Sequence, residues 1–449
     1  MTPTLITKVD ESDAAGDPDA EPIRQKLDSH PNGVCLRSTA RAALVGVAAA
    51  LVVILAADGS LVWRILRPLA VVAVSIAAWE GFDGRRPVWV AIATAIAIGL
   101  VAVPVGIGIG IPHLVDTGLS TFTVAGTGAL VGGLVLLTCA VVWWCRSAHR
   151  WTWPLRGLAV VVACALMTWT LGQAIAATNA PPTELGAVTP ADYGLDFRDV
   201  EFHAADGVTL SGWYVPSQNE AAVVLLHGAG STRSDVLEHA AVLARHGYGV
   251  LLYDARGHGL SEGRAMDFGW YGDADIAGAV AYLIELGEVD PLRIGAVGMS
   301  MGGEQAIGAA GSLDGLRAVV AEGATNRVAG DKDWLSDEYG WRGAITERVD
   351  SVTYWFTDLF TDARPPTTLR RAAAEAAPVP MLLIAAGDVA EEVHASEYIR
   401  QASPATVDVW VAPNAGHTEA LRVDPEQWSN RVTAFLDEAL AAPGRAGSA

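Results

Sequence analysis

The feature that most limits what this chain can fold into is a series of apolar runs crowded between Ala42 and Ala177. They cover residues 42–57, 61–79, 88–111, 122–144 and 158–177. A helix needs about 20 apolar residues to cross the hydrocarbon core of a bilayer. The third, fourth and fifth runs meet that length. The first is short, and the second opens with Arg64, Arg67 and Pro68. The expectation is therefore about five spans, or four if the first two runs form a re-entrant or interfacial pair. Trp79, Trp89, Trp143, Trp144, Trp151 and Trp153 sit near run ends, where interfacial aromatics belong. With five spans, the loop cations Arg37, Arg41, Arg85, Arg86, Arg146, Arg150 and Arg156 share one side. That places the N-terminus in the cytoplasm and the C-terminal half outside it, with Arg64 and Arg67 as the exceptions. Apart from those two, the runs are uncharged and carry Gln173 as a lone polar residue. A transport path uses intramembrane charge, so the bundle reads as an anchor, its clustered glycines suited to close helix packing.

The rest of the chain is organised around this block. Residues 1–40 are polar and acidic and are expected to be a disordered tail, because they cannot bury enough apolar surface to offset ordering entropy. Residues 41–178 form the transmembrane region, residues 179–198, with Pro181, Pro182 and Pro190, a linker, and residues 199–442 a globular domain. Only 18% of residues are charged, against about 25% in soluble domains, as a lipid-embedded portion requires. The net charge of −20 argues against nucleic acid, whose phosphates need basic surface. Cys35, Cys139, Cys145 and Cys164 have no zinc-ligand spacing with a histidine, so they read as buried apolar residues and no metal is expected.

After the linker, short apolar runs alternate with amphipathic stretches. Strands are expected at 200–203, 210–215, 222–226, 249–253, 293–298, 318–321, 381–385 and 407–411. Helices are expected at 235–245, 273–286, 302–310, 395–402 and 427–440. Wholly apolar strands alternating with helices imply a mostly parallel sheet covered on both faces. Such sheets carry their chemistry at the carboxyl ends of the strands, and three motifs fall there. Gly298-Met299-Ser300-Met301-Gly302-Gly303 follows one strand and opens a helix. This strand–turn–helix pattern lifts a serine oxygen above a sheet, with Gly298 and Gly302 small because side chains there would collide with backbone. Leu226-His227-Gly228-Ala229-Gly230-Ser231 follows another strand. Its Ala229 amide, with that of Met301, can supply the two donors a developing oxyanion needs; His227 is expected to orient the loop without transferring protons. Ala415-Gly416-His417 follows the last strand and offers the base that makes a serine nucleophilic.

With these motifs in place, residues from about Val200 to Leu440 resemble an α/β hydrolase, in the branch of esterases, lysophospholipases and serine aminopeptidase-like proteins. Two further stretches carry the resemblance. One is Asp206-Gly207-Val208-Thr209-Leu210 running into Gly212-Trp213-Tyr214, like the opening hairpin. The other is Tyr253 to Ser261, with its Arg256-Gly257-His258-Gly259, like the loop after the fourth strand, where His258 would be structural. The resemblance implies an eight-stranded, mostly parallel sheet and a Ser300–His417–acid triad that works without cofactor or metal. It also places the acid about three residues after Gly387, where this sequence has Ala390. The nearby carboxylates are Asp388, Glu391 and Glu392, and Glu322 follows the sixth strand. Glu392 is the first choice, because an extra methylene can offset a displaced position. Glu391, Asp388 and Glu322 stay open as alternatives. The aromatic-rich stretch at about 326–377 resembles a lid inserted after the sixth strand.

The expected function is hydrolysis of an ester or related acyl bond in a small-molecule or lipid-like substrate at a membrane. A peptidase or amidase would use the same machinery. A non-catalytic receptor of this fold is the third reading, although such proteins usually lack the nucleophile or the base.

Overall fold

The computed structural model describes residues 31–442 except Asp58 and Ala148, with side chains from residue 34 onward. Most of the expected tail lies outside those residues. Residues 31–40, also expected to be disordered, instead begin a helix, α1 (Pro31–Leu55). A proline fits the first turn of a helix, where its missing N–H is not needed.

Then follow α2 (Leu61–Phe82), α3 (Val88–Val105), a π-helical turn (Gly106–Gly110), α4 (Ile111–Asp116), α5 (Thr121–Arg146) and α6 (Trp153–Thr178). Five helical stretches are long and apolar enough to cross a membrane: Val34–Leu55, Leu61–Phe82, Val88–Asp116, Thr121–Arg146 and Arg150–Thr178. The short first run is thus a full-length helix, and the second tolerates Pro68 within it.

The chain divides into two compact units. Among the described residues, the first comprises the stretch up to Ala56, Ile65–Gly106 and Ala125–Met167. Within it, a Cβ on Gly132 would lie 2.5 Å from Val47, and one on Gly99 2.5 Å from Leu137. Helices therefore approach closely where side chains are absent, as bundles without a hydrophobic driving force require. Arg41 pairs with Asp83, and the Arg156 guanidinium lies 4.9 Å over Trp144.

Among the described residues, the second unit comprises those between Ala57 and Arg64, Ile107–Val124 and the stretch from Thr168 onward. Its globular part runs β1 (Arg198–His203), β2 (Thr209–Val215), β3 (Ala222–Leu226), α7 (Leu237–Arg245), β4 (Gly249–Tyr253), α8 (Gly272–Glu285), β5 (Ile294–Met299), α9 (Met301–Ser312) and β6 (Val319–Glu322). After β6 come α10 (Leu335–Tyr339), α11 (Trp341–Phe360), α12 (Leu369–Glu375), β7 (Met381–Ala386), α13 (Ala390–Arg400), β8 (Val407–Ala412), α14 (Ala420–Val423) and α15 (Pro425–Ala439). The eight strands form one sheet in the order β1-β2-β4-β3-β5-β6-β7-β8. Only the β1–β2 and β2–β4 pairs are antiparallel.

Every residue of β3, β4, β5 and β7 is buried, as strands covered on both faces must be. One face packs Val224, Leu251 and Ala296 against Ile276, Leu283, Ile307 and Leu369. The other packs Val223, Leu225 and Val297 against Leu237, Leu243, Trp428 and Leu436. Each fully buried Val or Leu contributes about 1.5–3 kcal/mol. The parallel register sets Leu226 beside Gly298, Met299 beside Glu322, and Ala386 beside Ala412. The carboxyl ends of β3, β5, β6, β7 and β8 thus finish along one edge.

A buried ionic cluster braces the loop after β4. Arg256 bonds Asp206 at 2.8 and 3.1 Å, pairs with Asp275, and lies 4.0 Å over the Tyr271 ring. Removing one partner of a buried pair strands the other charge, at a cost of about 3–5 kcal/mol. Arg256→Ala is therefore expected to lower the unfolding free energy of the detergent-solubilised protein by an amount in that range, read as a lower denaturant midpoint at unchanged slope. An unchanged midpoint would mean that Asp275 finds another partner.

Candidate active site

Ser300 stands between the last residue of β5 and the first of α9, with φ 52° and ψ −122°. A non-glycine residue held there stores about 1–3 kcal/mol of strain. The surroundings hold it on both sides. Its N–H donates to the Glu322 carbonyl at 2.7 Å, and its own carbonyl accepts from the Gly303 and Glu304 amides at 2.9 and 3.1 Å. The flanking glycines make the turn possible: a Cβ on Gly298 would lie 2.3 Å from the Gly302 backbone, and one on Gly302 2.6 Å from the His227 carbonyl.

His417 comes from the loop between β8 and α14. Its Nε2 is 2.9 Å from Ser300 Oγ, and its Nδ1 is 2.6 Å from Glu392 Oε1. An ionised carboxylate only accepts, so Nδ1 carries the proton and Nε2 is left to accept the serine O–H. Glu392 is buried, and its other oxygen accepts the Ala386 N–H at 2.8 Å. The Glu392 hydrogen bond raises the His417 pKa above the ordinary 6.5, against a smaller opposing effect of burial, and the charges of Glu392, Glu304 and Glu322 add to the rise.

The position of Glu392 follows from a helix boundary. The sequence pattern places a helix start at 395, whereas α13 begins at Ala390, directly after the β7 turn. Glu392 therefore lies in a first helical turn, where side chains tilt back toward the N-terminus and a carboxylate is favoured by the helix dipole. It reaches back to the end of β7 and to His417 together. The other candidates point elsewhere. Glu391 is exposed and 3.3 Å from Lys332. Asp388 is exposed in the turn. Glu322 is buried with its oxygens accepting the Ala420 N–H and the Trp428 indole N–H, both at 2.9 Å, and burial raises its pKa. It ties β6 to the segment that follows His417.

The Met301 amide opens α9 and the Ala229 amide lies in the loop after β3. Neither donates to a described residue. The loop passes close to Ser300, since a Cβ on Gly228 would lie 3.2 Å from that of Ser300. His227 accepts the Ala255 N–H at Nε2 (2.9 Å) and donates from Nδ1 to the Gly228 carbonyl (2.7 Å). Burial drops its pKa to about 4, which keeps it neutral. His258 is likewise buried, with Nδ1 3.1 Å from the Arg256 carbonyl. Both histidines hold loops.

Sequence reasoning passed over three residues beside Ser300, His417 and Glu392. Gly323, at φ 72°, lies against the imidazole, where a Cβ would be 2.9 Å from Cε1 and 3.0 Å from Nδ1 of His417. Glu304, on α9, is buried and accepts the Thr325 and Asn326 amides. Asn326 in turn bonds Tyr354 of α11. A lone carboxylate four residues after the serine, on a helix otherwise built of small and apolar residues apart from Gln305, was the available signal.

The aromatic stretch divides in two. Trp334 stacks on His394 at 5.3 Å, and Tyr354 packs between Phe268 and Trp270. Trp341, Ile345, Val352 and Trp355 are exposed on α11. A cavity of about 250 Å³ lies apart from the triad, lined by Val208, Arg256, Tyr271, Phe360 and Thr361 among others. Among the described residues, no group of three or more metal-ligating side chains is placed to hold an ion.

Comparison with known proteins agrees with this architecture. Residues 217–339 match the family model of serine aminopeptidase, S33. The domain has the α/β-hydrolase fold. The matched stretch contains the Ala229 loop and Ser300 and ends before Glu392 and His417. An uncharacterised protein of Mycobacterium tuberculosis is 36% identical over 133 residues, 29% of this chain and 45% of its own length. The thiohydrolase aneE of Aspergillus aculeatus is 37% identical over 118 residues, 25% of this chain and 37% of its own. This chain therefore spans less than half the length of these curated relatives. A solved esterase of Pyrococcus furiosus has 27% identity, covering 58% of this chain and 98% of that one, with a TM-score of 0.46.

The hydrolase domain has little room beside its histidine. Gly323→Ala meets both a positive φ, costing about 1–2 kcal/mol, and the imidazole. The variant is expected to fold with a lowered melting temperature and to react at Ser300 at least several-fold more slowly with a fluorophosphonate. Wild-type reactivity would mean that the ring is not held by this contact.

Proposed function

We propose that this chain is a membrane-anchored serine hydrolase that cleaves an ester or related acyl bond through an acyl-enzyme. The observation that carries the reading is the unbroken hydrogen-bonded line from Ser300 through His417 to buried Glu392. In this reading Ser300 Oγ attacks the acyl carbon while His417 Nε2 takes its proton. Glu392 holds the ring by Nδ1 and offsets the charge of the imidazolium. The Met301 and Ala229 amides receive the developing oxyanion. His417 then gives its proton to the leaving group, and a water activated by the same nitrogen releases the acid. No cofactor or metal enters these steps.

The anchor is the set of five apolar helical stretches between Val34 and Thr178, followed by a linker at 179–198 and the catalytic domain at 199–442. The loop cations support a cytoplasmic N-terminus and an extracytoplasmic hydrolase domain. Residues 326–377 serve as a lid, and the exposed Trp341, Ile345, Val352 and Trp355 favour apolar, lipid-like acyl groups. The likeness to a protein named a thiohydrolase supports acyl chemistry that extends to thioesters. A second reading, peptidase or amidase, is favoured by the aminopeptidase family match. It predicts turnover of aminoacyl-arylamides with none of short p-nitrophenyl esters; the reverse preference supports the esterase.

Ser300→Ala is expected to abolish labelling by a fluorophosphonate, and labelling that persists would overturn the assignment. Glu392→Gln is expected to lower acyl-bond hydrolysis by roughly a hundredfold or more, since the base loses its orienting charge. The base works only when neutral and its pKa is raised. The acid limb of kcat/KM should therefore lie above pH 6.5, with activity lost as the pH falls through it. A limb below that value would contradict the Glu392–His417 pairing.

A further inference from the structure

Glu304 has no part in the triad, yet it is a buried carboxylate in the first turns of the nucleophile helix. Its amide donates to the Ser300 carbonyl at 3.1 Å, which fixes it to the nucleophile's own turn. Its Oε1 accepts the Thr325 and Asn326 amides at 3.0 and 2.9 Å and lies 3.4 Å from the Thr325 hydroxyl. Those residues continue the segment from Glu322 and Gly323, and Gly323 forms the wall against the His417 ring. Asn326 bonds Tyr354, so the same segment is where the insertion meets the sheet. One carboxylate thus clamps the wall of the imidazole to the helix that carries the serine.

Resting on the triad reading above, we propose that Glu304 is a positioning residue. It fixes the 323–326 segment against His417, and its negative charge favours the imidazolium formed when Ser300 loses its proton. Two hydrogen bonds of a purely structural kind would be met equally well by a glutamine, whose carbonyl also accepts. A carboxylate in a buried site is costly unless its charge is used or shared. No cation bonds it: its partners are two amides and a hydroxyl, and it faces the further acids Asp331 and Tyr354. Glu392 and Glu322 are the other acids around His417. Burial raises the Glu304 pKa to about 7, and the Glu392 hydrogen bond raises that of His417 above its ordinary 6.5. The two sites then titrate as a coupled pair. Protonating Glu304 weakens the hold of His417 on its own proton, which spreads the pair over a wider pH range than one ionisation.

The test is the second-order rate of fluorophosphonate inactivation of the full-length protein in detergent, measured against pH. The wild-type acid limb is expected to be shallower than a single ionisation. Glu304→Gln should sharpen that limb to one ionisation, move it to lower pH, and lower the plateau rate roughly tenfold, the equivalent of one pKa unit of lost charge stabilisation. Glu304→Asp keeps the charge and should leave the limb near its wild-type position even if the plateau falls. A Glu304→Gln limb that does not move, or a Glu304→Asp limb that moves as far as the glutamine's, would overturn the proposal and leave the triad standing. If Glu304→Gln does not fold, a wild-type limb with the slope of one ionisation overturns it just as well. A wild-type protein that never reacts would overturn both the proposal and the triad.

Discussion

The backbone of Ser300 is the constraint on which the rest of the site depends. A residue at φ 52° and ψ −122° stays there only because the sheet and the helix on either side leave it no alternative. β5 delivers the chain to the edge of a buried sheet, α9 carries it away, and Gly298 and Gly302 let those two elements nearly touch. The serine N–H is taken by β6 and its carbonyl by the first turn of α9. The side chain is thereby held above the ends of the parallel strands. The same register brings β7 and β8 to that edge, so His417 and Glu392 arrive on neighbouring turns.

Around this point the polar groups are arranged by burial. His227 and His258 are forced neutral and spend their nitrogens on backbone groups, which makes them scaffold. His417 is half exposed, backed by a buried carboxylate, and pushed toward the charged form. The contrast comes from solvation and partners. Three histidines within one chain take different tasks because one alone has an acid behind it and a hydroxyl in front. Glu322 extends the arrangement by tying β6 to the start of α14 and to Trp428, which keeps the His417 loop from drifting.

Much of this was legible in the sequence. The strands, the serine turn and the late histidine are encoded locally, by apolar runs and by glycines where backbones cross. The eight strands fall within two residues of their expected bounds. The place of Glu392 was less legible because it depends on where a helix starts. Ala390, Glu391 and Glu392 have no strong capping signal before them, and Val389 makes no side-chain cap. Once α13 starts at Ala390, the second of two adjacent glutamates turns inward and the first turns out to Lys332. The role of Glu304 was hidden for a different reason: its partners, Thr325 and Asn326, are distant in sequence and are met through backbone amides, which leave no trace in residue type. The start of α1 within the expected polar tail is a similar case. Arg37 and Arg41 read as loop cations, whereas they lie on the helix over Trp143 and Trp79.

The central claim, that the strained serine is an acylated nucleophile, is tested most directly by trapping the intermediate. The protein would be mixed with an activated acyl ester, quenched in acid within the first turnover, and digested for peptide mass spectrometry. The account predicts a single acyl adduct, on Ser300, that appears before steady-state hydrolysis and decays on dilution at neutral pH. Hydrolysis with no adduct, or with the adduct on another residue, would contradict it.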